Sequence, residues 1–303
     1  MVVEAYGMDT INKGFKIGVG EFSTSLSPIN QYFYAPLNPS GVLSMIVSHH
    51  FLTPQSISGF QVSGEFGEKF GYNATYGNYT TQGHIRSGIL NLMGAEDLVV
   101  SELAVYNDNL KQNYDLGGSA RLYGNYNDFI SLGFNYFQGT RATLDYVARD
   151  PVTFARSYEH ANSQKNSLGV DFHLNYNDKI KFNAEYWSSS NKSTDLPVEI
   201  VFDYSGYYGE LIYNIGIFST FFRYEFVDDY QLVGIETGAY AEDFNGGNPL
   251  TSIGGGISVR PIYQVLLKLD FRNIDVDADD SFAAFDMEDQ NYNHFMFSAV
   301  ISF

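Results

Sequence analysis

Five times along this chain, two runs of alternating side chains flank a very short connection. In the first, Phe60, Val62, Gly64 and Phe66 precede Gly67-Glu68-Lys69, and Phe70, Tyr72, Ala74 and Tyr76 follow. The second runs Leu116–Tyr126 and Ile130–Tyr136 around Asn127-Asp128, and the third Leu168–Tyr176 and Ile180–Tyr186 around Asn177-Asp178. The fourth turns at Asn214-Ile215 and the fifth near Pro261. Successive side chains of a strand point to opposite faces, so this alternation reads as strands, and the two-residue links read as hairpins. Phe295, Phe297, Ala299, Ile301 and Phe303 repeat the pattern to the last residue. With an opening strand at Phe15, Ile17 and Val19, which is expected to close against 290–303, the clear strands number about twelve. The expected fold is all-β, a transmembrane antiparallel up-and-down β-barrel, with 1–303 as one domain.

Between the hairpins lie long segments rich in Gly, Asn, Asp and Ser, at 80–114, 139–164, 190–200, 228–249 and 275–289. Short turns at one end and long loops at the other are the asymmetry of outer-membrane barrels. No apolar run reaches the ~18–20 residues of a membrane helix, whereas a membrane strand needs only ~9–11, half of them polar. The mean hydropathy of -0.18 therefore fits a barrel. Tyr and Phe number 24 and 25 against one Trp, and those nearest the short turns, Phe66, Phe70, Tyr126, Tyr176, Tyr213, Tyr263 and Phe303, read as an interfacial girdle. Tyr136, Tyr186 and Phe226 fall toward the other interface. The competing reading, a soluble β-sandwich, would gather its aromatics mid-strand.

The absence of cysteine excludes disulfides and thiolate chemistry, and a net charge of -18 argues against nucleic acid as a partner. No signal peptide is visible at Met1-Val2-Val3-Glu4. His49, His50, His84, His160, His173 and His294 form no recognisable nucleophile motif, and adjacent His49 and His50 on a strand would point opposite ways. An outer-membrane hydrolase is thus a poorer reading than a channel, and the chain is expected not to be an enzyme. No metal site or cofactor is implied. Asp275, Asp277, Asp279, Asp280, Asp286, Glu288 and Asp289 place seven acids and no base in 275–289, which reads as a solvated acidic loop, since the glycine and closing glutamate of a calcium loop are missing.

Strand parity sends Lys16, Arg121, Lys181, Arg223, Arg260, Lys268 and Arg272 inward, together with Glu65, Asp171, Glu185, Glu210, Glu225 and Asp270. These are the candidate pore-lining residues. Seven cations against six anions do not make the one-signed ladder that anion selection requires. Acidic loops should raise the local concentration of cations, so weak cation preference is expected. The alternative is a surface adhesin or structural barrel whose long acidic loops bind a partner.

Val3–Tyr6, Gly14–Phe22, Ser27-Pro28, Pro54, Gly59–Gly64 and Phe70–Asn78 resemble the phosphate-selective porin superfamily of Gram-negative bacteria, including its DcaP-like relatives. The terminal Phe303 is similar to their C-terminal assembly signal. The resemblance covers about a quarter of the chain. It implies the bacterial outer membrane, contact with lipid and lipopolysaccharide, passive diffusion of small hydrophilic solutes or ions, and a homotrimer. It also implies that residues 23–56 form a pore-constricting loop, consistent with the apolar segment Val42–Val47. The other reading of that segment is an extra strand or helix capping the mouth. The family usually has sixteen strands with this loop after the fifth, which leaves a reduced barrel or four missing upstream strands as the alternatives. Val2–Tyr6 then reads as the tail of a preceding strand and Met8–Lys13 as its turn.

Overall fold

The computed structural model describes residues 5–12, 14–23, 26, 44, 56–67, 69–80, 114–127, 129–149, 156–193, 200–237, 240–244, 249–276 and 290–301. They form one antiparallel sheet of fourteen strands. In chain order these are β1 (Ala5–Asn12), β2 (Phe15–Ser23), β3 (Ser56–Phe66), β4 (Phe70–Thr80), β5 (Tyr114–Tyr126), β6 (Ile130–Arg149), β7 (Arg156–Tyr176), β8 (Ile180–Ser193), β9 (Ile200–Ile215), β10 (Phe218–Thr237), β11 (Tyr240–Phe244), β12 (Leu250–Ile262), β13 (Val265–Val276) and β14 (Gln290–Ile301). Each strand pairs with the next, except that β12 follows β10 in the sheet and β11 folds back on the end of β10. This is the up-and-down order that the hairpin pattern dictates.

All twelve strands read from the alternation are present, and β1 and β11 are additional. Met8–Asn12 lies in β1 and not in a turn, so β2 pairs with β1 on one side and β3 on the other. The expected pairing of β2 with β14 is therefore replaced. With β11 set aside, thirteen strands lie on the path, so β1 and β14 run in the same direction. Two edges running the same way cannot pair antiparallel with one another. Among the described residues, no register joins them.

The turns follow from local chemistry. Asn177 and Asp178 both take positive φ, 50° and 55°, as a two-residue hairpin turn of the primed type demands. Asp178 is held there by its amide, which donates to Asn175 Oδ1 at 3.1 Å. Two turns fall later than the sequence suggested. One is at Gly216-Ile217, where Gly216 supplies φ of 60°, and the other at Tyr263-Gln264, after β12 has ended at Ile262.

Three of the five long loops, at 139–164, 190–200 and 228–249, are shorter than expected, because strands run into them. β6 and β7 have 20 and 21 residues, about twice the ~9–11 that cross a bilayer, and pair from Ile130↔Leu174 to Arg149↔Arg156. Among the described side chains on the outer face of β7, the exposed apolar residues end at Leu168, and Asn166, Gln164 and Asn162 follow. The far half of this hairpin therefore stands beyond the apolar band.

That band is the main feature of the outer face. Ile17, Val19, Phe60, Leu122, Leu132, Phe134, Val170, Leu211, Phe222, Ile253, Ile257, Leu269, Phe295 and Phe297 are all exposed. Apolar side chains in water at this density are unfavourable by roughly 25 cal/mol per Å², so the face requires an apolar surround. Tyr263, at 81 % exposed, joins Phe66, Phe70, Tyr126, Tyr176 and Tyr213 in a row of exposed rings beside the short turns, where the girdle was expected. Phe303 lies outside the described residues.

Candidate functional site

The opposite face is buried and carries charge. Arg121, Lys165, Arg223, Lys268 and Arg272 lie there with Asp171, Glu185, Glu210, Glu225 and Asp270, five cations against five anions. Alternation decides this on each strand: Phe222 and Tyr224 are exposed, while Arg223 and Glu225 between and beside them are 2 % and 1 % exposed. Register then brings the charges together across strands. Asp171 is opposite Glu185, Glu185 opposite Tyr208, and Tyr208 opposite Glu225. One pair lower, Glu210 is opposite Arg223, and Gly254 stands between Arg223 and Arg272.

The result is a belt of paired charges across β5–β13. Arg121 donates to Asp171 Oδ1 at 2.9 Å, and the Asn135 amide donates to Asp171 Oδ2 at 2.7 Å. Arg223 Nε donates to Glu210 Oε2 at 2.9 Å, with a second bond from its NH2 to the same oxygen. Arg272 meets Glu225 at 3.2 Å. Glu185 accepts the Tyr208 hydroxyl at 2.8 Å and the Trp187 indole N–H at 3.2 Å. The guanidinium groups also lie over rings, Arg121 over Tyr123 at 5.3 Å and Arg223 over Phe221 at 5.6 Å. Buried ions demand this degree of partnering, because an isolated one costs several kcal/mol.

Four candidates from the sequence sit outside the belt, near the short turns. Lys16 is half-buried at the start of β2, and Glu65 is exposed at the end of β3. Lys181 approaches Asp178 at 3.8 Å, and Arg260 donates to the Tyr263 carbonyl at 3.0 Å. Lys165, Trp187, Tyr208 and Asn135 were missed by sequence reasoning. They share parity with the belt's charges, Trp187 two residues from Glu185 and Tyr208 two from Glu210, and parity applied to every side chain finds them.

The belt gives way over β2–β4 to small or neutral groups. Gln61 and Thr75 are buried there, and Thr75 bonds Ser119 on β5. Of the histidines, His173 bonds Asn183 and His294 is exposed on β14; His49, His50 and His84 lie outside the described residues. Among the described residues, no three His, Asp or Glu side chains form a metal-binding group.

Comparison with solved structures places the fold. The chain is similar over 99 % of its length to outer-membrane expressed OmpT of Vibrio cholerae, with 12 % identity, 81 % of that chain covered and a TM-score of 0.61. The chain has the fold of outer-membrane barrels. An anion-selective porin from Comamonas acidovorans matches 90 % of it, with 9 % identity, 67 % of that chain and a TM-score of 0.55. The outer membrane channel DcaP of Acinetobacter baumannii matches 95 %, with 11 % identity, 71 % of that chain and a TM-score of 0.50. No protein-family model matches the chain, and no curated protein matches it by sequence.

Proposed function

We propose that this protein is an outer-membrane porin, a passive diffusion channel for small hydrophilic solutes and ions with weak cation preference. The observation that carries this reading is the two-faced sheet, apolar and exposed outside, with a balanced belt of paired charges inside. A lipid-facing exterior around a polar interior is what a membrane barrel requires. The even balance argues against tight selection of either sign at the belt. The excess of 35 acids over 17 bases therefore lies elsewhere, and its field favours cations at the mouths. The side chains that line the path are those of the belt, with Lys16, Glu65, Lys181 and Arg260 toward the short-turn end. No catalytic residue is proposed. As the porin resemblance implies, the protein assembles as a homotrimer in the bacterial outer membrane.

Proteoliposomes carrying the chain are expected to swell in isotonic solutions of small sugars, faster for smaller ones. Under a salt gradient the reversal potential should have the sign of a weakly cation-preferring pore. Strong anion preference would sink the selectivity assignment, and absence of swelling the channel itself.

Residues 23–56 are proposed to fold inward and narrow the path. Supporting this, Leu26 and Ser44 are both fully buried. Deletion of residues 40–52 should raise single-channel conductance, and an unchanged current would contradict the constriction. The second reading, a barrel whose extracellular parts bind a partner, is favoured by the reach of β6 and β7 past the apolar band. It predicts surface binding without stepwise current.

A further inference from the structure

Two inner-face glycines lie beneath belt side chains contributed by the neighbouring strand. Gly133 on β6 is opposite Asp171 on β7, and a Cβ at Gly133 would lie 2.1 Å from Asp171 Oδ2 and 2.7 Å from its Cγ. Gly169 on β7 is opposite Trp187 on β8, and a Cβ there would meet the indole at 2.5–2.6 Å. Real Cβ atoms do not approach this closely, so each side chain occupies the space that its neighbour's missing Cβ leaves. Asp171 and Trp187 therefore lie along the wall and do not project from it. The Asp171 carboxylate is thereby set within reach of Arg121, and the Trp187 indole within reach of Glu185.

We propose that Gly133 and Gly169 are positioning residues that seat Asp171 and Trp187 flat on the inner wall and so set the free cross-section of the pore beside β5–β8. This rests on the channel reading. An alanine at either position pushes the seated side chain toward the axis, where the bore is narrowed. Removing the seated side chain as well relieves the conflict, which a purely structural role for the glycine does not predict. The neighbouring Gly118 serves as a control, because it faces outward and a Cβ there makes only ordinary contacts at 3.4 Å.

Trp187 is the only tryptophan in the chain and is fully buried, so its emission reports the seat directly, with or without current. In the refolded full chain, Gly169→Ala should move the emission to longer wavelength and increase quenching by acrylamide, while Gly118→Ala leaves both unchanged. Gly169→Ala and Gly133→Ala should each lower single-channel conductance roughly twofold, since flow depends on the narrowest radius. The double variants Gly169→Ala/Trp187→Ala and Gly133→Ala/Asp171→Ala should return it to the wild-type level or above. Unshifted Trp187 emission in folded Gly169→Ala overturns the seat. Wild-type conductance in both single variants, or double variants as low as the singles, overturns the role in the bore. A wild-type chain that carries no current overturns the channel reading and the bore-setting role together, and the emission result then still decides the seat.

Discussion

Arg223→Ala is expected to destabilise the folded protein by about 3–5 kcal/mol, the cost of leaving a buried ion without its partner. Arg223 is 2 % exposed and stands between Glu210 and Glu225, both 1 % exposed. Its Nε and NH2 groups bond one oxygen of Glu210, and Arg272 meets Glu225 from the other side. Without the guanidinium, two buried carboxylates on adjacent strands are left with Arg272 of β13 as the cation beside them. Lysine should rescue poorly, because a single ammonium lacks the fork that makes two bonds at once. Replacing Glu210 together with Arg223, as Arg223→Ala/Glu210→Gln, should recover part of the loss by removing one of the stranded charges. Unfolding midpoints in detergent micelles measure this. A midpoint shared by wild type and Arg223→Ala would mean that water reaches the pair freely and that the belt is not buried.

The second large effect concerns the outer face. Phe134 is 68 % exposed in the middle of the apolar band, between Leu132 and Tyr136 on β6. Phe134→Arg should cost about 2–4 kcal/mol in lipid, whereas Tyr263→Arg, at the short-turn rim, should cost about 0–1 kcal/mol. The contrast is informative because Tyr263 is the more exposed of the two at 81 %. A soluble protein would tolerate both substitutions, since each adds a charge to an exposed position. Reversible unfolding from bilayers gives the two values, and equal costs would contradict a membrane depth difference between them.

Alternation made the membrane-crossing half of each strand legible in the sequence. In β10, Phe218, Thr220, Phe222, Tyr224 and Phe226 mark one face without help from any other strand, and Arg223 and Glu225 then follow onto the other. The signal fails where the residues of a strand do not alternate. Beyond Gly139, β6 continues through Thr140-Arg141-Ala142-Thr143-Leu144-Asp145, which has no period of two and so reads as a loop. β1 reads only as a tail and a turn, because Tyr6-Gly7-Met8-Asp9-Thr10 is too short and too mixed an alternation to mark a strand. The pairing within the belt was not legible either. Parity gives the direction of Arg121 and Asp171, but they lie 50 residues apart, and only the register of β6 between β5 and β7 brings them to 2.9 Å. A slip of one residue in any of those strands would have turned its charges outward. The glycine seats are hidden further still, since they depend on which residue stands opposite across the ladder.

The inner face decides what the protein does, and a planar lipid bilayer tests it most directly. Purified wild-type chain, added at low concentration to one side, should produce discrete upward steps of current of uniform size, each step one inserted pore. Insertion that raises no stepwise current would contradict the channel, and would leave the belt as the packed interior of a closed barrel.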